Sequence, residues 1–294
     1  MEFLQPSTWS EALQMKSAHP QAMPIWGGTD VMVEINLDHQ RPAAILDLTR
    51  IHELTEWGVI GDLLRVGAGV TYTRIIEDLG DRLPGLAMAS RTVGSPQIRN
   101  RGTVGGNLGT ASPAGDAHPP LLACNAIVEL AARSGTRRVP AREFFVGPKK
   151  NAMRPDELIA AFLIEPARGP QQFSKVGTRN AMVIAVCSFA FALDFSRRRV
   201  GTGIGSAGPT PLVAEEAEKF LADELDWEGR GPLSDAAAKR FGDLVAAAAR
   251  PIDDIRGTAA YRHRALSVMA QRTLKWAWAS SPFMGRWRGA PEGR

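Results

Sequence analysis

Cysteine is scarce. The 294 residues hold two, Cys124 and Cys187, each inside an apolar run. Buried inert thiols are the expected state of such residues. Two cysteines exclude a disulfide framework, and an iron–sulfur cluster carried by this chain alone would need roughly four thiolates. Five scattered histidines, with no HxxEH, HExxH or CxxC spacing, give no metal site. No apolar run is long enough to span a bilayer; the longest, Ala181 to Leu193, is interrupted by Ser188 and falls short of the ~20 residues required. The opening MEFLQPSTWSEALQ lacks the basic and apolar regions of a signal peptide, so a cytoplasmic protein is expected. Charge excess is also missing. The net charge is +4 and basic residues are interleaved with acidic ones, which gives no nucleic-acid footprint. With 44% hydrophobic and 22% charged residues, wholesale disorder is excluded too.

What is abundant is glycine, 29 residues in all, with a cluster between Val93 and Gly115. Along the chain, Met1–Leu4 reads as a strand, and Thr8-Trp9-Ser10-Glu11 as a capping box opening a helix to about Ala18. Met23-Pro24-Ile25-Trp26 is a short strand ending at Gly27-Gly28-Thr29-Asp30, with a helix to Asn36 and a strand at Ala43–Asp47. Residues 1–52 thus form a β-α-β-α-β unit. A hairpin around Gly61-Asp62 follows, then a helix capped by Thr71 and another starting at Pro84. A long loop is expected to Pro120, and then strands at Ala126–Ala132, Arg137–Pro140 and Leu158–Glu165. After a boundary near Arg168-Gly169-Pro170, strands at Phe173–Val176, Met182–Asp194 and Val200–Ser206 form a meander, with Arg197-Arg198-Arg199 as a solvated hairpin tip. Helices at Leu212–Leu221, Ser234–Ala249 and Thr258–Ala279 close the chain.

Two glycine segments carry the chemistry. In Gly27-Gly28-Thr29-Asp30, a strand turns sharply into a helix whose free amide donors suit a pyrophosphate. A tight turn capped by Asp30 is the plainer alternative. The second segment runs from Arg99 to Asp116, 18 residues with five glycines, and bears small polar groups at Thr103, Asn107, Thr110, Ser112 and Asp116. Structureless loops of that length are uncommon in compact domains and usually functional. Small hydroxyls and an amide beside glycines suit a polyphosphate or a sugar, and Asp116 suits a ribose hydroxyl. A bulky residue at Gly106 is expected to do more harm than one at Gly203. Gly203-Ile204-Gly205-Ser206-Ala207-Gly208 matches a dinucleotide pattern, but Pro209 and Pro211 stand where its helix would start, so it reads as a strand and turn.

The two segments, in this order and roughly 75 residues apart, resemble the flavin-binding subunit of the xanthine dehydrogenase family of molybdenum hydroxylases. The likeness rests on Gly27-Gly28-Thr29-Asp30, on Thr103-Val104-Gly105-Gly106-Asn107, and on Thr110-Ala111-Ser112-Pro113 with Asp116. Phe144-Phe145 through Pro155-Asp156-Glu157-Leu158-Ile159, and Pro251 through Arg262, agree as well. The resemblance implies an α+β fold: a vanillyl-oxidase-like (PCMH-type) FAD-binding domain in two parts, then a small three-stranded antiparallel sheet with three helices. The corresponding divisions are 1–170 (parts 1–52 and 53–170), 171–280, and a tail at 281–294.

By the same resemblance, Pro24, Ile25, Trp26, Gly27, Gly28, Thr29, Asp30 and Val31 would line the FAD pyrophosphate. Thr103, Gly105, Gly106, Asn107, Thr110, Ser112 and Asp116 would form the second wall, with Leu158 or Ile159 near the flavin or adenine end. A lysine that reaches the flavin in some relatives falls near Ala185 on simple alignment and is not transferred; Lys175 and Arg179 remain candidates. No catalytic residue is assigned. The implied role is electron transfer from a partner [2Fe-2S] chain through FAD to NAD+ or another acceptor, beside a molybdopterin chain. A dimer of heterotrimers acting on a purine such as xanthine is the expected complex. A free-standing FAD reductase using Ser95 or Tyr72, a flavin-free docking protein, and the medium subunit of a carbon monoxide or aldehyde dehydrogenase are the alternatives. Trp276, Trp278 and Trp287 with Arg286 and Arg288 are candidate partner contacts.

Overall fold

The computed structural model describes residues 1–229 and 231–280. The expected tail, with Arg286, Trp287 and Arg288, lies outside them. The first unit runs β1 (Glu2–Leu4), α1 (Trp9–Ala18), β2 (Met23–Ile25), α2 (Val31–Asn36) and β3 (Ala44–Asp47). Its three strands are parallel in the order β1-β3-β2. Both halves of the Thr8–Glu11 capping box form.

The second unit begins with β4 (Trp57–Ile60) and β5 (Leu63–Gly67), a hairpin turning at Gly61 with φ +60°. Next come α3 (Tyr72–Asp78), α4 (Pro84–Arg91), α5 (Pro96–Arg101), α6 (Val104–Thr110) and α7 (His118–Ala123). Then follow β6 (Ile127–Ala132), β7 (Gly135–Pro140), α8 (Ala141–Phe144), β8 (Phe145–Gly147), β9 (Lys150–Asn151) and β10 (Leu158–Ile164). Strands β4-β5-β10-β6-β7 make one antiparallel sheet in that order. Its inner face packs on α3, α4 and α6 through Leu64, Val66, Leu86, Val104, Leu108 and Phe162.

The segment expected as one long loop is therefore largely helical. Ser95 and Thr103 cap two short helices, accepting hydrogen bonds from the amides of Ile98 and Gly106. Pro96 occupies the first turn of α5, where its missing donor costs nothing. Val104 and Leu108, one turn apart, drive α6 into the core. The alternative of a turn capped by Asp30 is not what forms: Asp30 sits before α2 but makes no side-chain cap.

The third unit comprises β11 (Gln171–Val176), β12 (Cys187–Asp194) and β13 (Arg199–Gly205), an antiparallel meander, then α9 (Glu215–Glu224), α10 (Asp235–Ala248) and α11 (Ala259–Ala279). Strand β12 starts at Cys187 rather than Met182, and α9 begins three residues later than expected. Phe189, Phe191 and Phe241 form the centre of this core. Both cysteines are buried, and burial pushes each thiol up to about 12. Trp278 is buried whereas Trp276 is exposed.

Three alternate glycines of β13 decide how this unit meets the second. A Cβ on Gly201 would overlap the carbonyl oxygen of Ala123, and one on Gly203 that of Pro119; one on Gly205 would meet the Pro119 ring. Helix α7 lies on this bare face. The expectation for Gly106 and Gly203 is thereby reversed as far as the protein's own packing goes: Gly203 has no room, while a Cβ on Gly106 meets only Thr103 Oγ1, at 3.3 Å.

Candidate functional site

The two glycine segments lie against each other. A Cβ on Gly27 would overlap the carbonyl of Arg101, so glycine there allows direct backbone contact. Gly28 turns the chain at φ +71°. Tyr72 donates its amide hydrogen to the Gly102 carbonyl (3.0 Å), and Thr71 bridges Thr103. Thr29 faces Gly102, beside the Tyr72 ring. Burial, followed by the charges of Asp116 and Asp30, pushes the Tyr72 phenol upward. Trp26 turns the other way, its indole filling the space beside Gly69. Lys149 ties α2 to the end of α6: its ammonium meets Glu34 at 2.5 Å, and its amide donates to the Ala111 carbonyl.

Helix α6 presents glycines outward. Gly106 and Gly109 are exposed, and beyond Gly109 only Ile159 Cδ1 comes near, at 3.8 Å from a built Cβ. The hydroxyls around it are partly engaged. Thr103 Oγ1 accepts from Gly106 N, Thr110 donates to the Gly106 carbonyl, and Ser112 Oγ accepts from Ala114 N. Thr103 and Ser112 keep their own protons to donate. Leu158 and Ile159 part company: Ile159 lies under α6, while Leu158 joins the core of the first unit with Leu46 and Ile51.

At the far end, Asp116 is buried. Its Oδ2 receives Lys175 Nζ at 2.5 Å and Thr92 Oγ1 at 3.2 Å. Burial raises this carboxyl, opposed by Lys175 and then Thr92. Lys175 comes from β11, so both larger units contribute to the site. Arg179 does not reach it; its guanidinium bonds the Met182 carbonyl in the loop beyond. His118, fully buried, sets its Nε2 3.1 Å from the Asn107 carbonyl and packs its ring on Phe145. A carbonyl partner requires the proton on Nε2. Burial pushes His118 down to about 4, so the ring is neutral.

Three buried atoms of this cluster lack any hydrogen-bond partner: Asn107 Oδ1, Asp116 Oδ1 and His118 Nδ1. Such orphans are rare and each calls for an explanation. Sequence reading missed His118 and Thr92 as parts of the site, and treated Tyr72 only as a proton donor. Ser95 is occupied as a helix cap. Among the described residues, no cluster of His, Cys, Asp or Glu is placed to hold a metal ion, and no helix is long and apolar enough to cross a membrane.

Residues 1–166 match the family described as the FAD binding domain in molybdopterin dehydrogenase. Residues 172–277 match the CO dehydrogenase flavoprotein C-terminal domain. The chain belongs to the flavoprotein subunits of the molybdenum hydroxylases. It is 29% identical to a xanthine dehydrogenase FAD-binding subunit of Escherichia coli O157:H7, covering 94% of this chain and 95% of the relative. It is 30% identical to the nicotine 6-hydroxylase medium subunit of Paenarthrobacter nicotinovorans, covering 93% and 96%. Its structure superposes on that of a carbon monoxide dehydrogenase from Hydrogenophaga pseudoflava with a TM-score of 0.87 at 27% identity, over 96% of this chain and 98% of the other. The chain is thus the FAD-carrying flavoprotein component of an oxidoreductase, in a family whose partner chains carry molybdopterin and [2Fe-2S] clusters.

Proposed function

We propose that FAD lies between the two glycine segments. Residues 24–31 follow its pyrophosphate, except that Trp26 contributes backbone only. Thr103, Gly105, Gly106, Asn107, Thr110, Ser112 and Asp116 form the opposite wall, with Ile159 beneath it and Lys175 closing from the third unit. The observation that carries this reading is the coincidence of orphaned Asn107 Oδ1 and Asp116 Oδ1 with a bare glycine face. Polar acceptors that the protein leaves unpaired fit the hydroxyls and ring N–H groups of a flavin nucleotide. FAD would supply the electron chemistry; the chain binds it, orients it and excludes water. Lys175 pairs with Asp116 at a buried position, where an unpaired carboxylate would be costly.

We read the first two units as a vanillyl-oxidase-like domain, and the chain as a cytoplasmic relay from an iron–sulfur partner to NAD+ or another acceptor. A molybdopterin chain would complete a heterotrimer that pairs into a dimer. A purine such as xanthine is the proposed substrate, supported by the xanthine dehydrogenase relatives. The carbon monoxide dehydrogenase reading is the competitor, favoured by the structural match.

The purified chain should show flavin absorbance, and Asn107→Ala with Asp116→Ala should lower FAD content. Each lost polar contact is worth about 1–3 kcal/mol. Unchanged flavin content in the double variant refutes the second wall. In the assembled complex, xanthine should bleach the flavin; bleaching by carbon monoxide instead refutes the purine assignment.

A further inference from the structure

We infer that Arg262 is a positioning residue for the cofactor wall, acting from α11 through Ser206. The inference rests on the FAD reading above. Arg262 stands on the first turn of α11 and is 4% exposed, an uncommon state for a guanidinium. Its Nη2 meets Asp254 Oδ1 at 2.5 Å, and its Nη1 donates to the Ser206 carbonyl at 2.7 Å. Ser206 ends the third unit's central meander with φ +57°, a left-handed conformation that a serine adopts only at a cost. Three hydrogen bonds hold it there. The guanidinium takes its carbonyl, its hydroxyl donates to the Ala185 carbonyl at 2.7 Å, and its amide donates to the Pro113 carbonyl at 2.8 Å.

Pro113 lies between Ser112 and Asp116, two residues of the proposed wall. Proline has no amide hydrogen, so the Pro113 carbonyl is the only backbone group through which this residue can be hydrogen-bonded. The path is continuous: Asp254, Arg262, Ser206, Pro113. Its anchor is firm, because Asp254 also accepts the amides of Arg256 and Gly257. Burial opposes its charge, but Arg262 and these amides hold the Asp254 carboxyl down at about 2. This gives the segment from Asp253 to Arg262 a purpose remote from the flavin. Asp253 takes the amide of Ala259 at 2.5 Å at the start of α11, and Asp254 orients the guanidinium. A lysine would offer both partners a single ammonium in place of the planar fork whose two nitrogens meet them separately.

The test uses the full chain with Arg262→Met, Arg262→Lys and, as a control, Phe241→Leu. Phe241 is buried in the core of the same unit, where its ring packs on Phe189 and Phe191. Three quantities are measured on each: the FAD dissociation constant by flavin fluorescence, the melting temperature without FAD, and hydrogen exchange of the Ser206 amide. Arg262→Met should weaken FAD binding about tenfold or more and speed Ser206 exchange. Arg262→Lys should recover part of both. Phe241→Leu should lower the melting temperature with FAD binding and Ser206 exchange unchanged.

A wild-type FAD constant in Arg262→Met, or an equal loss of FAD binding in Phe241→Leu, overturns the inference. Should Arg262→Met not fold, Arg262→Lys decides: weaker FAD binding at an unchanged melting temperature supports the latch, and wild-type binding overturns it. A wild-type chain that binds no FAD refutes the cofactor reading itself, a result distinct from variants that bind FAD as well as wild type does.

Discussion

His118 makes the stability of this chain pH-dependent in a direction the structure settles. The ring is buried, and desolvation pushes it from 6.5 to about 4, against the pull of the Asn107 carbonyl. Folding therefore requires the neutral ring, whereas the unfolded chain takes up the proton near pH 6.5. Between those values the unfolded state binds more protons, so stability falls as the solution is acidified. The full gap corresponds to about 3 kcal/mol, at ~1.4 kcal/mol per pH unit. About 2 kcal/mol of this should be lost between pH 7 and pH 5. Asp116 and Glu218, both raised chiefly by burial, titrate with the opposite sign. A difference measurement removes them. His118→Gln keeps an N–H donor for the Asn107 carbonyl and does not titrate. Urea unfolding of both chains at pH 7, 6 and 5 should show the wild type losing about 2 kcal/mol more than the variant. Parallel stability curves would refute the buried neutral imidazole.

Three further outcomes follow from the same geometry. Gly106→Val should fold and lose flavin, because on this exposed face its Cβ meets only Thr103 Oγ1, at 3.3 Å, whereas Gly203→Val should fail to fold or melt at much lower temperature; flavin absorbance and thermal unfolding separate the two. Lys175→Met leaves Asp116 buried with Thr92 alone and should cost about 3–5 kcal/mol in urea unfolding, while Lys175→Met with Asp116→Leu should recover part of it. The purified chain, free of molybdenum and iron by elemental analysis, should reduce a dye with NADH at most; oxidation of purines or aldehydes at the rate of an intact complex would replace the relay with a free-standing enzyme.

Much of the fold was legible because its signals are local. Thr8 with Glu11 and Thr71 cap the helices they were expected to cap, and Ser234 and Thr258, read as the starts of two helices, prove to be their caps. The hairpin at Gly61 and the meander beyond Pro170 needed only alternation and a turn. Residues 99–116 misled because five glycines argue against helix by propensity. The opposing signals were present: Ser95 before Pro96, and Thr103 before the Val104–Leu108 pair. They prevail because α5 and α6 are held by tertiary contact, which overrides propensity in short helices. Of the site, the glycine segments and Asn107 were visible as pattern. Asp116 and Lys175 were each candidates, but their pairing across 59 residues and the His118–Asn107 contact were not visible, since no periodicity links those side chains.

The glycines of β13 show why a motif has to be read with its surroundings. Gly203, Gly205 and Gly208 fit a dinucleotide pattern by spacing alone, yet Gly203 and Gly205 face α7 rather than a ligand. Gly203 removes a Cβ so that the α7 backbone can approach the strand, and Gly205 leaves room for Ser188 Oγ and the Pro119 ring. That helix starts at His118, two residues past Asp116, and His118 reaches back to Asn107. The same meander sends Lys175 to Asp116 from its first strand and Ser206 to Pro113 from the end of its last. The third unit thus holds the proposed cofactor wall at three points: under α7, at Asp116 and at Pro113. Separating residues 171–280 from the rest would leave Asp116 without its cation and Pro113 without its donor. A chain ending at 170 should therefore retain the two glycine segments in sequence but lose FAD, and flavin bound to that truncated chain with full-length affinity would show that the wall stands without the third unit.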